Sequence, residues 1–179
     1  SPIAVTTGNS YTVATAIEGA LKACDLVGIQ PSESKLAVVG ATGSIGKTCA
    51  VVLAPKFQDT VVIGRDMPRT EAVAQTLPRA RASTDINDLL QADLVITVTS
   101  AETAIIAPEH LKRGSVVCDV SRPRDTSVRV VTERPDVLVI EGGVVKVPGP
   151  VNFGMTFGFP PGTAYACMSE TMMLALEDR

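Results

Sequence analysis

Three glycines, Gly40, Gly43 and Gly46, stand at three-residue steps in the segment LAVVGATGSIGKT (36–48). They follow the apolar run Leu36–Val39 and precede a helical pattern. A strand–turn–helix phosphate loop needs glycine at such a spacing. A sharp exit from a strand requires dihedrals that a Cβ opposes, and backbone that touches a pyrophosphate cannot carry a Cβ. The amides of Ser44, Ile45 and Gly46, with Thr42 beside them, would face the anion at the helix N-terminus. Other residues able to do chemistry fall at the ends of later apolar runs: Arg65, Asp66 and Arg69 after TVVIG, Thr99 and Ser100 after DLVITV, Cys118 and Asp119 closing SVVCD, and Gly142 and Gly143 after VLVIE.

Two nucleotide chemistries compete for the glycine stretch. Residues 41–48, ATGSIGKT, differ from the triphosphate P-loop G-x-x-x-x-G-K-[ST] by Ala41 in place of glycine, and Asp119 could serve as a magnesium ligand. The three-residue glycine phase favours a dinucleotide instead, because a P-loop does not need it. So does the second apolar run, which arrives within one βαβ length and leads into Arg65, where an adenosine ribose would lie. An acidic residue there takes the ribose 2′-OH of NAD, and an arginine accommodates the 2′-phosphate of NADP. Asp66 and Arg65 offer both. Arg69 adds a second cation and Asp66 suits a helix cap, so NADP(H) is the expected cofactor, with NAD(H) the alternative. No metal site is expected.

The elements that must position these residues follow from periodicity. Helices are expected over 10–27 (capped by Asn9 or Ser10 and ended by Gly28), 44–53, 70–77 and 163–176, with a brief helix over 84–90 and a helical turn over 108–112. Strands are expected over 35–39, 60–64, 79–83, 93–98, 115–118 and 137–140, with a minor one over 128–131. Residues 144–161 read as an irregular loop. Alternation of strands and helices gives an α/β fold: a Rossmann-like doubly wound parallel sheet with helices on both faces and ligands at the carboxyl ends of its strands. The 179 residues suit one domain: a leading helix (1–28), a nucleotide-binding core (35–143), and a loop with a C-terminal helix (144–179). Ser1-Pro2-Ile3-Ala4-Val5 and the helical Glu177-Asp178-Arg179 suggest a domain taken from a longer chain.

Composition narrows the partners. A net charge of −3 argues against nucleic acid, and 3% aromatic residues leave few platforms for base stacking. The apolar runs are too short to span a membrane. Cys24, Cys49, Cys118 and Cys167 fit neither a zinc spacing nor a disulfide framework, so reduced thiols and the cytoplasm are expected.

Thr6-Thr7-Gly8-Asn9-Ser10, the segment 37–46, Gly142-Gly143-Val144-Val145, and Ala166-Cys167 with Glu170 and Met172 resemble the reductase half of cyanobacterial long-chain acyl-ACP reductases. The wider group has been called predicted amino-acid dehydrogenases, similar in its Rossmann part to shikimate dehydrogenase and glutamyl-tRNA reductase. The resemblance spans nearly the whole chain. It implies NADPH-dependent reduction of an acyl thioester, a small or carrier-linked substrate, and a substrate domain ahead of this one; a homo-oligomer is compatible with it. The acyl reductases carry a nucleophilic cysteine shortly after Gly-Gly-Val-Val. Here Lys146-Val147-Pro148-Gly149-Pro150 follows, with no cysteine. Cys118 is then the best spare nucleophile, Asp119 a candidate acid or base, Lys146 a candidate proton donor or carbonyl-polarising group, and Tyr11 a group that could face nicotinamide or substrate. The sole histidine, His110, sits on a helical turn and makes a poor acid–base candidate. The alternatives are an amino-acid or shikimate-type dehydrogenase, a non-catalytic NADP-binding module and, further off, an NTPase.

Overall fold

Leu36 and Val38 enter one hydrophobic layer while Ala37 and Val39 enter another, so the first strand is buried on both faces. That explains why it reads as a continuous apolar run. The computed structural model describes residues 5–155 and 158–177. The segments read as chain ends, 1–4 and 178–179, and residues 156–157 of the loop lie outside the described residues. Six parallel strands form the main sheet: β1 (Lys35–Val39), β2 (Asp59–Ile63), β3 (Ala80–Ser83), β4 (Leu94–Thr97), β5 (Val116–Asp119) and β6 (Leu138–Glu141). Their spatial order is β3-β2-β1-β4-β5-β6. The order reverses between β1 and β4, and a ligand crevice belongs there.

One face is covered by α1 (Asn9–Val27), α2 (Ser44–Leu53) and α3 (Met67–Ala74), through Val13, Ala16, Ala20, Cys49, Leu53 and Val73. The other face is covered by the 3-10 turn 86–91, by the segment 106–111 around the 3-10 turn 108–110, and by α4 (Arg129–Glu133), through Leu89, Ile106, Leu111 and Val130. Both faces are thus sealed, as a parallel sheet requires.

Several local expectations are corrected. Residues 128–131 are not a strand. Ser127 starts a turn, Val130 N–H donates to the Ser127 carbonyl, and Arg129 pairs with Glu133 one turn on, so local bonds prevail where no strand is available to pair. The brief helix expected over 84–90 is a 3-10 turn over Ile86–Gln91, whose preceding Asp85 side chain accepts from Asn87 N–H. The loop 144–161 begins with β7 (Val144–Lys146), which pairs antiparallel with β8 (Thr163–Tyr165) before α5 (Ala166–Leu176).

The start of α1 also differs. Gly8 precedes the helix in the left-handed region, and neither Asn9 nor Ser10 caps it. A distant carboxylate does so instead. Glu170 on α5 accepts from Tyr11 N–H at 2.7 Å and from the Thr6 hydroxyl at 2.6 Å. Those bonds, the Thr6 hydroxyl foremost, hold its carboxyl below the usual range. Gly8 is required for close packing there, since a Cβ on it would lie 2.4 Å from the Cys167 Cβ.

Candidate functional site

Each glycine of the loop has a different physical reason. Gly40 turns the chain out of β1 at φ +82°, and a Cβ on it would lie 2.2 Å from the Val98 carbonyl oxygen. Gly46 packs α2 against the turn, and its Cβ would meet the Gly40 oxygen at 2.5 Å. Gly43 is different: its φ of −83° suits any residue, and a Cβ there would touch only the Gly40 oxygen, at an ordinary 3.5 Å. Nothing among the described residues demands glycine at 43. In dinucleotide-binding loops the second glycine is the position that lets the backbone approach a pyrophosphate. No side chain caps the α2 N-terminus and no acidic residue occupies its first turn. The first-turn amides and the dipole therefore remain available to an anion.

The loop opens into a cleft of about 610 Å³ at the carboxyl ends of β1, β2 and β4. Of the residues expected to hold a cofactor, Gly40, Thr42, Gly43, Arg65, Arg69, Thr99 and Ser100 line it. Ser44, Ile45 and Gly46 form the first turn of α2 beside it. A separate hollow of about 410 Å³ lies among Lys35, Asp59 and Ala80, at the amino ends of the strands. Ligands of open α/β sheets sit at the opposite ends, where the glycine loop is.

Arg65 and Arg69 are exposed, and neither has an ion-pair partner among the described residues. Asp66 N-caps α3, accepting from Arg69 N–H at 3.0 Å. It does not line the cleft. Gly142 and Gly143 do not line it either: Gly142 N–H donates to the Asp119 carbonyl, a Cβ on Gly142 would lie 2.6 Å from the Cys118 sulfur, and the Gly143 carbonyl accepts from Ala166 N–H. They turn the chain from β6 toward β7.

None of the four candidate catalytic side chains lines the cleft. Cys118 is fully buried, its sulfur 3.7 Å from the Ala16 carbonyl under α1, and burial pushes its thiol far up. Asp119 is 1% exposed, with its two oxygens accepting from Ser121 N–H and Thr126 N–H. Burial pushes its carboxyl up, and the bonds to Thr126 and Ser121 pull it back. It fastens a loop. Lys146 projects from β7 into solvent. Tyr11 is half-buried in the first turn of α1, its amide committed to Glu170. Cys118 thus packs in the core, away from the cleft. His110 accepts from the Ala107 amide at 3.1 Å, also away from the cleft.

The magnesium–triphosphate chemistry loses its supports here too. The Thr48 hydroxyl donates to the Ser44 carbonyl, and both oxygens of Asp119 are engaged by amides.

The thiols give a direct test. Burial raises Cys24 and Cys49 to about 11, and Cys118 higher, whereas Cys167 alone is exposed. Reactivity follows thiolate and access. Iodoacetamide at pH 8 should label Cys167 alone in the native chain and all four after unfolding, read by peptide mass spectrometry. Native labelling of Cys118 would contradict the burial that removes it from the chemistry.

Two features went unread in the sequence. The Glu170 cap has no local signal. The run Ser121–Ser127, SRPRDTS, had one: it is dense in charge and hydroxyls directly after a strand end on the ligand side. In the fold it brings Asp125, 0% exposed, against Thr97, Thr99 and Ser121.

A family model described as shikimate / quinate 5-dehydrogenase matches residues 22–141, which contain the whole six-stranded sheet and the glycine loop. The chain belongs to the shikimate/quinate 5-dehydrogenase family. Aminotransferase PigE of Serratia sp. is 31% identical over 191 aligned positions, covering 100% of this chain and 22% of PigE. The long-chain acyl-[acyl-carrier-protein] reductase of Synechococcus elongatus is 28% identical over 96% of this chain and 52% of its own length. Glutamyl-tRNA reductase from Methanopyrus kandleri shares the fold at a TM-score of 0.61 and 22% identity, over 71% of this chain and 34% of that one. The resemblance to acyl-ACP reductases thus holds across nearly the full chain. The chain spans about half or less of the curated relatives it matches. This family member is an NAD(P)-binding Rossmann domain of the oxidoreductase type. Among the described residues no helix is long and apolar enough to cross a membrane.

Proposed function

We propose that the cleft binds NADP(H) and that this domain serves the reduction of an acyl thioester or related carbonyl. The observation that carries the cofactor choice is the pair Arg65 and Arg69. They line the cleft, Arg65 just past the end of β2 and Arg69 in the first turn of α3, without ion-pair partners among the described residues, while the nearby carboxylate, Asp66, is occupied as a helix cap. The donor set fits the group: an open backbone at Gly43, uncapped amides on α2, and two cations where a 2′-phosphate would lie. When bound, the cofactor supplies a hydride. The chain's own residues do the rest: Gly43 and the α2 amides hold the pyrophosphate, Arg65 and Arg69 hold the ribose phosphate, and Ser100 leaves an exposed hydroxyl at the end of β4.

The acyl substrate is supported by the relationship to the Synechococcus elongatus enzyme. A shikimate-type dehydrogenase reading fits the same fold. The non-catalytic module is favoured by one observation, that no candidate catalytic side chain lines the cleft. A longer parent protein would resolve this by supplying the substrate-side groups from a further domain. The proposed setting is cytoplasmic.

A thermal-shift comparison of NADPH, NADH and ATP–Mg tests the cofactor. At ligand concentrations about 100 times Kd, binding adds about 2.7 kcal/mol. NADPH should raise Tm most and ATP–Mg should not raise it. Stabilisation by ATP–Mg alone would remove the dinucleotide reading. Supplying NADPH and acyl thioesters of graded length to the full-length parent and following absorbance loss tests the reaction. No turnover at any length would favour the other two readings.

A further inference from the structure

We propose that Asp125 is a positioning residue for the nicotinamide-side wall of the cleft, acting through Thr99. This rests on the cofactor reading above. Asp125 lies outside the cleft and is fully buried. Its carboxylate gathers the Thr97 hydroxyl at 2.5 Å, the Thr99 hydroxyl at 2.5 Å, the Thr99 amide at 3.1 Å and the Ser121 hydroxyl. The Ser121 oxygen in turn accepts from the Thr99 amide at 2.8 Å. Thr99 then passes the order along, because its hydroxyl oxygen accepts from Ala101 N–H at 3.1 Å.

The chain of donors runs one way. A carboxylate only accepts, so Thr99 must point its hydrogen at Asp125 and its lone pair at Ala101. The hydroxyl and the amide of Thr99 are thereby both spent inside the protein. The direction of the wall 99–101 is fixed from behind, and Ser100 is left as the exposed hydroxyl. Adenosine belongs at the end of β2, beside Arg65, and the pyrophosphate at α2. A dinucleotide crossing the switch point between β1 and β4 must therefore lay its other half along the end of β4. That is where Thr99, Ser100 and Ala101 line the cleft. A buried charge with this many donors is costly to disturb, and here the arrangement serves the face that meets the ligand.

The test separates the two halves of the cofactor. Adenosine 2′,5′-bisphosphate reports the adenosine half, and the fluorescence of bound NADPH reports the surroundings of the nicotinamide. Asp125→Asn keeps the shape but places an N–H where Thr99 now donates, so it reverses the polarity of the wall. Asp125→Asn should bind adenosine 2′,5′-bisphosphate as the unsubstituted chain does. It should bind NADPH about tenfold more weakly, the scale of one good hydrogen bond, and lose the NADPH fluorescence change. Thr99→Val removes the same hydroxyl and should reproduce both effects, and the double variant should be no worse than either single one. A purely structural role would weaken both ligands together. Parallel loss of both, unchanged NADPH fluorescence in Asp125→Asn, or additive losses in the double variant would each overturn the inference. If Asp125→Asn does not fold, Thr99→Val decides: NADPH fluorescence unchanged from the parent chain overturns the inference, and its loss upholds it. An unsubstituted chain that binds neither ligand overturns the cofactor reading and this inference with it.

Discussion

Gly40→Ala and Gly43→Ala are expected to fail in opposite ways. At Gly40 the new Cβ would sit 2.2 Å from the Val98 oxygen and 2.8 Å from its carbonyl carbon, both backbone atoms, at φ +82°. The left-handed conformation costs an alanine roughly 1–2 kcal/mol, and forcing β1 and the β4 exit apart costs about 1–3 kcal/mol more. A loss of about 3 kcal/mol is a large part of a domain's usual stability and lowers Tm by about 6–12 °C at this size. At Gly43 the backbone already suits alanine and the nearest atom is 3.5 Å away. The poorer N-cap and the smaller unfolded-state entropy nearly offset each other, leaving stability within about 1 kcal/mol. The added methyl instead stands where the pyrophosphate would approach, and dinucleotide affinity should fall about tenfold or more. Thermal unfolding without ligand and cofactor titration of both variants separate the effects. A destabilised Gly43→Ala, or one with unchanged NADPH affinity, would contradict the assignment of Gly43 to the ligand.

The second large effect concerns the far end of the cleft. Arg65→Ala should weaken NADPH about 10–100-fold while changing NADH by less than about twofold. A hydrogen bond to a charged group contributes about 1.5–3 kcal/mol, and Arg65 makes no ion pair among the described residues that would have to be broken. Because the site is exposed, the NADPH advantage of the unsubstituted chain should also shrink as salt rises. Equal losses of both cofactors would show that Arg65 supports the fold and does not read the 2′-phosphate. Arg69 is expected to contribute less, since it stands in the first turn of α3 and not directly at the end of β2.

The sequence by itself determined a good deal: the parallel sheet, the glycine turn out of β1, and the place of Arg65 just past the end of β2. Each depends on neighbours close in the chain. An apolar run marks a strand buried on two faces, the three-residue glycine phase marks a turn into a helix, and Arg65 directly follows a strand end.

Only the tertiary structure decided which groups meet the cleft. Val116, Val117, Cys118 and Asp119 are all buried, so the run has no alternation to show which way Cys118 points. A shift of one residue exchanges the faces of a strand, and Cys118 faces α1 rather than the cleft. The distant partners of Asp125 and Glu170 were likewise out of reach. Thr97 is 28 residues from Asp125, and Tyr11 is 159 from Glu170. No periodicity links positions so far apart, because packing of α1, α5 and the strand-end loops creates their environments. The glycine loop needs only its own backbone, whereas the polar network behind Thr99 needs the whole sheet assembled around it.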